Sequence, residues 1–254
     1  MLSEQYLIEV RLRRDEVPSF EEYPFCLDAV RGLESLKLHP KVTFIIGENG
    51  SGKSTLLEAI AVAAGFNPEG GSRNFSFSTY ASHSELHRLL RLSRGVRRPR
   101  DGYFLRAESF FNVASEIERL DDEPESGPKI ISSYGGISLH AQSHGESFMA
   151  LLLNRFGGEG LYVLDEPEAA LSPTRQLALL RRMHELCNDR SQFVIATHSP
   201  ILMAYPHATI FHLSPEGILE TKYEETEHYQ ITKYFLNHPE KMLEELFEEC
   251  GDGE

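Results

Sequence analysis

The sequence predicts an α/β fold with a mainly parallel sheet and flanking helices. Three observations carry this. Residues 41–46, 161–164 and 192–196 are short apolar runs of strand length. Residues 54–64 follow the first run with helical spacing and strong helix formers, and Gly65 stops them. Each run ends in a polar or glycine-rich cluster, and in open α/β sheets ligands sit at the carboxyl ends of the strands.

Bulk properties set the limits. The chain has 254 residues, 41% of them hydrophobic, which is enough for one large domain with its own core. A net charge of −14 argues against coating nucleic acid by bulk charge, though not against a local basic patch. Cys26, Cys187 and Cys250 are far apart and show no zinc spacing, so reduced thiols are expected. No apolar run approaches the ~20 residues of a membrane span. Residues 1–17 alternate like a strand and carry charges throughout, unlike a signal peptide. A soluble cytoplasmic protein is expected.

The first strand end is the most informative. Gly47-Glu48-Asn49-Gly50-Ser51-Gly52-Lys53-Ser54-Thr55 lies between a strand and a helix. Glycines there let the backbone approach a ligand, and successive N–H groups form an anion nest at a helix N-terminus. Lys53 offers a cation to β/γ-phosphates, and Ser54 offers a hydroxyl to Mg²⁺. The expected ligand is a nucleoside triphosphate with magnesium. At the second strand end Asp165 can hold Mg²⁺ through its water shell, and Glu166 can polarise an attacking water. At the third, His198 can hydrogen-bond a γ-phosphate. Ser143-His144-Gly145-Glu146 opens a further apolar helix pattern, over residues 147–156, whose polar start can also meet phosphate.

These motifs, in this order, resemble the ATP-binding cassette (ABC-type) P-loop ATPases, in particular small stand-alone bacterial members related to SMC and RecF heads. GENGSGKST looks like Walker A, and LYVLDEP like Walker B with its catalytic glutamate. SHGE resembles a variant signature motif, Ala170-Leu171-Ser172 the D-loop, and His198 the switch histidine. The resemblance implies catalysis by Glu166, His198 and Lys53, with ATP and Mg²⁺ as cofactors. It also implies an ATP-gated head-to-tail homodimer, in which Ser143, Gly145 and Glu146 of one chain meet the nucleotide of the other. The family's Q-loop glutamine has no counterpart in the candidate strand at residues 103–111. Glu108 is the substitute there, as a further metal ligand. Tyr23 and Phe25 lie at a plausible distance for stacking on adenine, and a core role fits them equally.

The whole chain, 1–254, then reads as one ATPase domain. Residues 1–111 and 157–225 form the sheet core, including an N-terminal antiparallel strand region. Residues of about 112–156 form a small inserted helical lobe bearing the signature. Residues 226–254 form C-terminal amphipathic helices broken at Pro239. Residues 88–106 hold Arg88, Arg91, Arg94, Arg97, Arg98, Arg100 and Arg106. Such a cluster can touch nucleic acid or an acidic partner, or it is a solvated face paired with the chain's own carboxylates. An ATP-switched binding module with negligible hydrolysis is the alternative function. A GTPase is disfavoured because no N-K-x-D guanine motif occurs.

Overall fold

Alternating apolar side chains on β-branched and aromatic runs produce the strands, and these runs order the chain. The computed structural model describes residues 5–73, 84–106, 110–122 and 129–248. The first elements are β1 (Leu7–Leu12), α1 (Asp28–Arg31), β2 (Ser35–Lys37), β3 (Val42–Gly47) and α2 (Lys53–Ala64). Next come β4 (Gly71–Ser72), α3 (Leu86–Leu89), β5 (Leu90–Arg94), β6 (Asp101–Arg106), α4 (Phe110–Asp121) and α5 (His144–Ala150). Then follow β7 (Gly160–Asp165), α6 (Pro173–Asn188), β8 (Gln192–Ala196), α7 (Pro200–Met203), β9 (Thr209–Ser214) and β10 (Gly217–Thr221). Helices α8 (Glu227–Asn237) and α9 (Pro239–Glu248) complete the described chain, and the break falls at Pro239 as expected.

A seven-stranded sheet runs in the order β10-β9-β3-β8-β7-β6-β4. Its inner pairs are parallel, and only the edge pairs β10–β9 and β4–β6 are antiparallel. Strand β8 therefore lies between β3 and β7, so the ends of all three open side by side. Period-2 alternation splits the core between the faces. Ile45, Phe104, Leu161, Val163 and Val194 pack with α2 on one side. Phe44, Ile46, Tyr103, Tyr162, Leu164 and Phe193 pack with α4, α5 and α6 on the other.

The N-terminal antiparallel region is a separate sheet of order β2-β1-β5. It shares a core with the large sheet, and the Gln192 amide and the Tyr6 hydroxyl, which donates to the Arg190 carbonyl at 2.8 Å, fasten the two by hydrogen bonds. The Gln192 side-chain oxygen accepts from the Tyr6 and Leu7 N–H groups at 3.1 and 2.9 Å. Its nitrogen donates to the Leu7 and His39 carbonyls at 2.8 and 3.0 Å.

Three expectations change. The candidate strand at 103–111 is shorter. Strand β6 ends at Arg106, and Phe110 already begins α4, because Phe110, Val113, Ala114 and Ile117 share one inward helical stripe. The arginine cluster at 88–106, read as a solvated face or a partner surface, contains β5, whose Leu90 and Leu92 alternate with polar residues and pack inward. The helix expected over 147–156 starts earlier, at His144, and passes into a π-type turn at Leu151–Arg155.

Candidate functional site

The loop after β3 wraps the start of α2 tightly. A Cβ on Gly47 (φ 150°) would sit 2.6 Å from the Leu213 carbonyl oxygen, so only glycine fits there. Gly52 caps α2 in the left-handed region, at φ 93°. The Lys53 ammonium is buried and donates to the Gly47 and Glu48 carbonyls at 2.9 and 2.8 Å. Burial lowers its pKa, while Glu166, Asp165 and Glu168 pull the other way. The Ser51 hydroxyl is buried in the same loop without a protein hydrogen-bond partner.

Strand β7 delivers the carboxylates. The Ser54 hydroxyl donates to Asp165 Oδ1 at 3.1 Å, joining the P-loop helix to β7. A hydroxyl and a buried carboxylate meeting in this way are a donor pair suited to a hard divalent cation. Glu166 follows in the left-handed region at φ 46°, which is uncommon for a residue with a side chain and concentrates at functional sites. Its N–H donates to the Ala196 carbonyl at 2.9 Å, tying the end of β7 to the end of β8.

Beyond β8, His198 comes within 3.6 Å of the Glu166 carboxylate through Nε2. The His198 N–H donates to Glu168 Oε1 at 2.6 Å, which fixes the turn. Its ring Nδ1 lies 3.1 Å from Nε2 of His228 on α8. Gly47, Glu48, Asn49, Glu166, His198, His212, Glu227 and His228 line one polar cleft of about 590 Å³. Among the described residues, no group of three or more His, Cys, Asp or Glu is arranged to hold a metal ion.

The structure thus brings Gly47, Glu48, Asn49, Lys53, Ser54, Asp165, Glu166 and His198 together. Ser143, Gly145 and Glu146 sit apart, at the start of α5. Ser143 is exposed, and its hydroxyl and N–H both donate to Glu146 Oε2, at 2.6 and 3.0 Å. Those bonds hold the Glu146 carboxyl below its usual pKa. Gly145 is buried: a Cβ there would meet Arg175 Nη1 at 2.1 Å and the Ala170 carbonyl at 2.8 Å. Glu108 lies outside the described residues, as does Cys250. Phe25 is buried in the core, whereas Tyr23 is 65% exposed.

The arginine stretch is partly paired with its own chain. Arg88 meets Glu85, Arg100 meets Glu159 and Arg106 meets Glu58, while Arg94 donates to the Ala63 carbonyl. Sequence reasoning missed Glu168, His212 and His228. Glu168 carried a weak signal, two positions after Glu166. The two histidines carried none, because they reach the cleft only through β9 and α8.

Two family models match the chain. One, an AAA domain, covers residues 24–123. The other, described as "AAA domain, putative AbiEii toxin, Type IV TA system", covers residues 147–204. No curated protein matches the sequence. Similar solved structures include cbiO1 from Clostridium perfringens, part of the ABC transporter complex cbiONQ. It has a TM-score of 0.45 and 18% identity, over 96% of this chain and 99% of that one. The SMC head domain from Thermotoga maritima has a TM-score of 0.42 and 16% identity, over 86% and 99%. No described helix is long and apolar enough to cross a membrane.

Proposed function

Taking the chain as an ABC-type P-loop ATPase domain related to SMC heads, we propose that it binds ATP with Mg²⁺ in the polar cleft and hydrolyses it. The observation that carries this reading is the convergence of three strand ends. Lys53, the Ser54–Asp165 pair, Glu166 and His198 come from β3–α2, β7 and β8 and meet at one opening. The residues fit the cofactor: a buried ammonium, an unpartnered loop hydroxyl and a hydroxyl–carboxylate pair are the chemistry a phosphate chain and its cation need.

ATP with Mg²⁺ supplies the phosphoanhydride and neutralises its charge when bound. The chain's own groups do the rest. Lys53 would turn its ammonium donors from the Gly47 and Glu48 carbonyls to a phosphate oxygen. Ser54 and Asp165 would hold the cation. Glu166 takes a proton from the attacking water, and His198 donates from Nε2 to the terminal phosphate. Two chains pack head to tail, and Ser143, Gly145 and Glu146 of one meet the nucleotide of the other.

The test is light scattering and phosphate release on wild type and Glu166→Gln, with and without Mg-ATP. The expected result is slow turnover by wild type and an ATP-dependent dimer of the variant. An unchanged mass with unchanged turnover would overturn the reading. The second reading, an ATP-switched binding module with negligible hydrolysis, is favoured by the Ser143 hydroxyl being spent on Glu146 within its own chain.

A further inference from the structure

The C-terminal helix α8 reaches the cleft through Glu227 and His228, and His228 lines it beside Gly47, Glu48, Asn49 and Glu166. Its Nε2 lies 3.1 Å from His198 Nδ1, and its Nδ1 is buried with no hydrogen-bond partner. A contact between two imidazole nitrogens needs one proton, so one ring donates. The surroundings decide which one. If His198 donated from Nδ1, a neutral His198 would present a bare Nε2 lone pair to the Glu166 carboxylate at 3.6 Å, which is repulsive. If His228 donates from Nε2, His198 carries its proton on Nε2 and points an N–H dipole at the Glu166 carboxylate, which is attractive. Orphaned groups do not separate the two cases, because His198 Nε2 and His228 Nδ1 are both buried without a hydrogen-bond partner, so the Glu166 carboxylate decides.

We propose that His228 is a positioning residue: it donates Nε2–H to His198 Nδ1 and so holds His198 as the Nε2–H tautomer, the form that can donate to a terminal phosphate. The hydrogen bond made by one ring nitrogen sets the proton on the other. Burial lowers the His228 pKa, the neighbouring His198 adds to this and Glu227 opposes it, consistent with a neutral donor ring. The helix beyond the sheet is in this way part of the hydrolytic site. The phosphate role of His198 rests on the proposed ATPase activity, but the tautomer assignment does not.

The test uses His228→Leu, which fills space without a donor, and His228→Gln, whose Nε2 amide keeps one. Steady-state ATPase kinetics are read together with imidazole ¹⁵N shifts, His198 being assigned by comparison with His198→Asn. His228→Leu is expected to lower kcat by about tenfold or more at little-changed KM, the scale of losing a partner that orients a working histidine. Its His198 should leave the pure Nε2–H state, and His228→Gln should recover most of both. His198 staying fully Nε2–H in His228→Leu would overturn the proposal. So would equal defects in the Leu and Gln variants, which would mark packing. A wild type without turnover would sink the ATPase reading alone, because the ¹⁵N comparison needs no turnover and still decides the role of His228.

Discussion

The phosphate end of the sheet and the C-terminal helix pair are built on opposite terms. At the phosphate end, β3, β7 and β8 are buried along their whole length, and their polar tips are held by short fixed contacts. On α8 and α9 no residue is buried, and Leu236, Phe247, Leu246 and Ile231 are 71, 68, 48 and 47% exposed. Yet the two regions meet in one imidazole pair. A rigid site can thus take a needed hydrogen bond from a loosely packed element, because a single bond needs one well-placed ring and not a buried face.

Breaking the phosphate end should give the largest effects. Lys53→Ala should lower ATP affinity by at least about a hundredfold, since several charge-assisted bonds are lost together. Calorimetric titration showing retained micromolar affinity would remove the P-loop assignment. Glu166→Gln should bind ATP normally and release phosphate at least ~100-fold more slowly, the scale of a lost general base. Ser143→Arg should leave binding by the single chain intact and cut turnover. Normal turnover in that variant would rule out a role across the dimer.

Stability changes sharpen the same contrast on a smaller scale. Gln192→Leu strips two donors of their buried acceptor and should cost about 2–5 kcal/mol in urea unfolding. Leu236→Glu, on the exposed face of α8, should stay within about 0.5 kcal/mol of wild type. A large loss there would mean that the helix pair packs more tightly than its exposure indicates.

The phosphate end was legible because its chemistry is local. Gly47 to Thr55 are contiguous, Asp165 and Glu166 adjoin, and each group follows an apolar run that could only be a strand. The shift of α4 to Phe110 was hidden because two aromatics continue a strand pattern as readily as they open a helical stripe. Strand β5 was hidden because its arginines swamp the alternation of Leu90 and Leu92. His228 was not legible at all: its partner lies 30 residues back, across α7, β9 and β10, and no local period reports a contact of that kind. The variant signature was visible as letters, but not the bond between Ser143 and Glu146 that ties up its hydroxyl.

The amide of Gln192 has a consequence for how the protein is made. By residue 94 all three strands of the small sheet have been synthesised. Its anchor has not: the peptide groups of Leu7 wait for a residue 185 positions downstream. At about 5–20 residues per second that interval is roughly 10–40 s. For the part that follows residue 94, 98 residues or roughly 5–20 s, the nascent N-terminal sheet lacks its Gln192 bonds and is held only through the core it shares with β3 and α2.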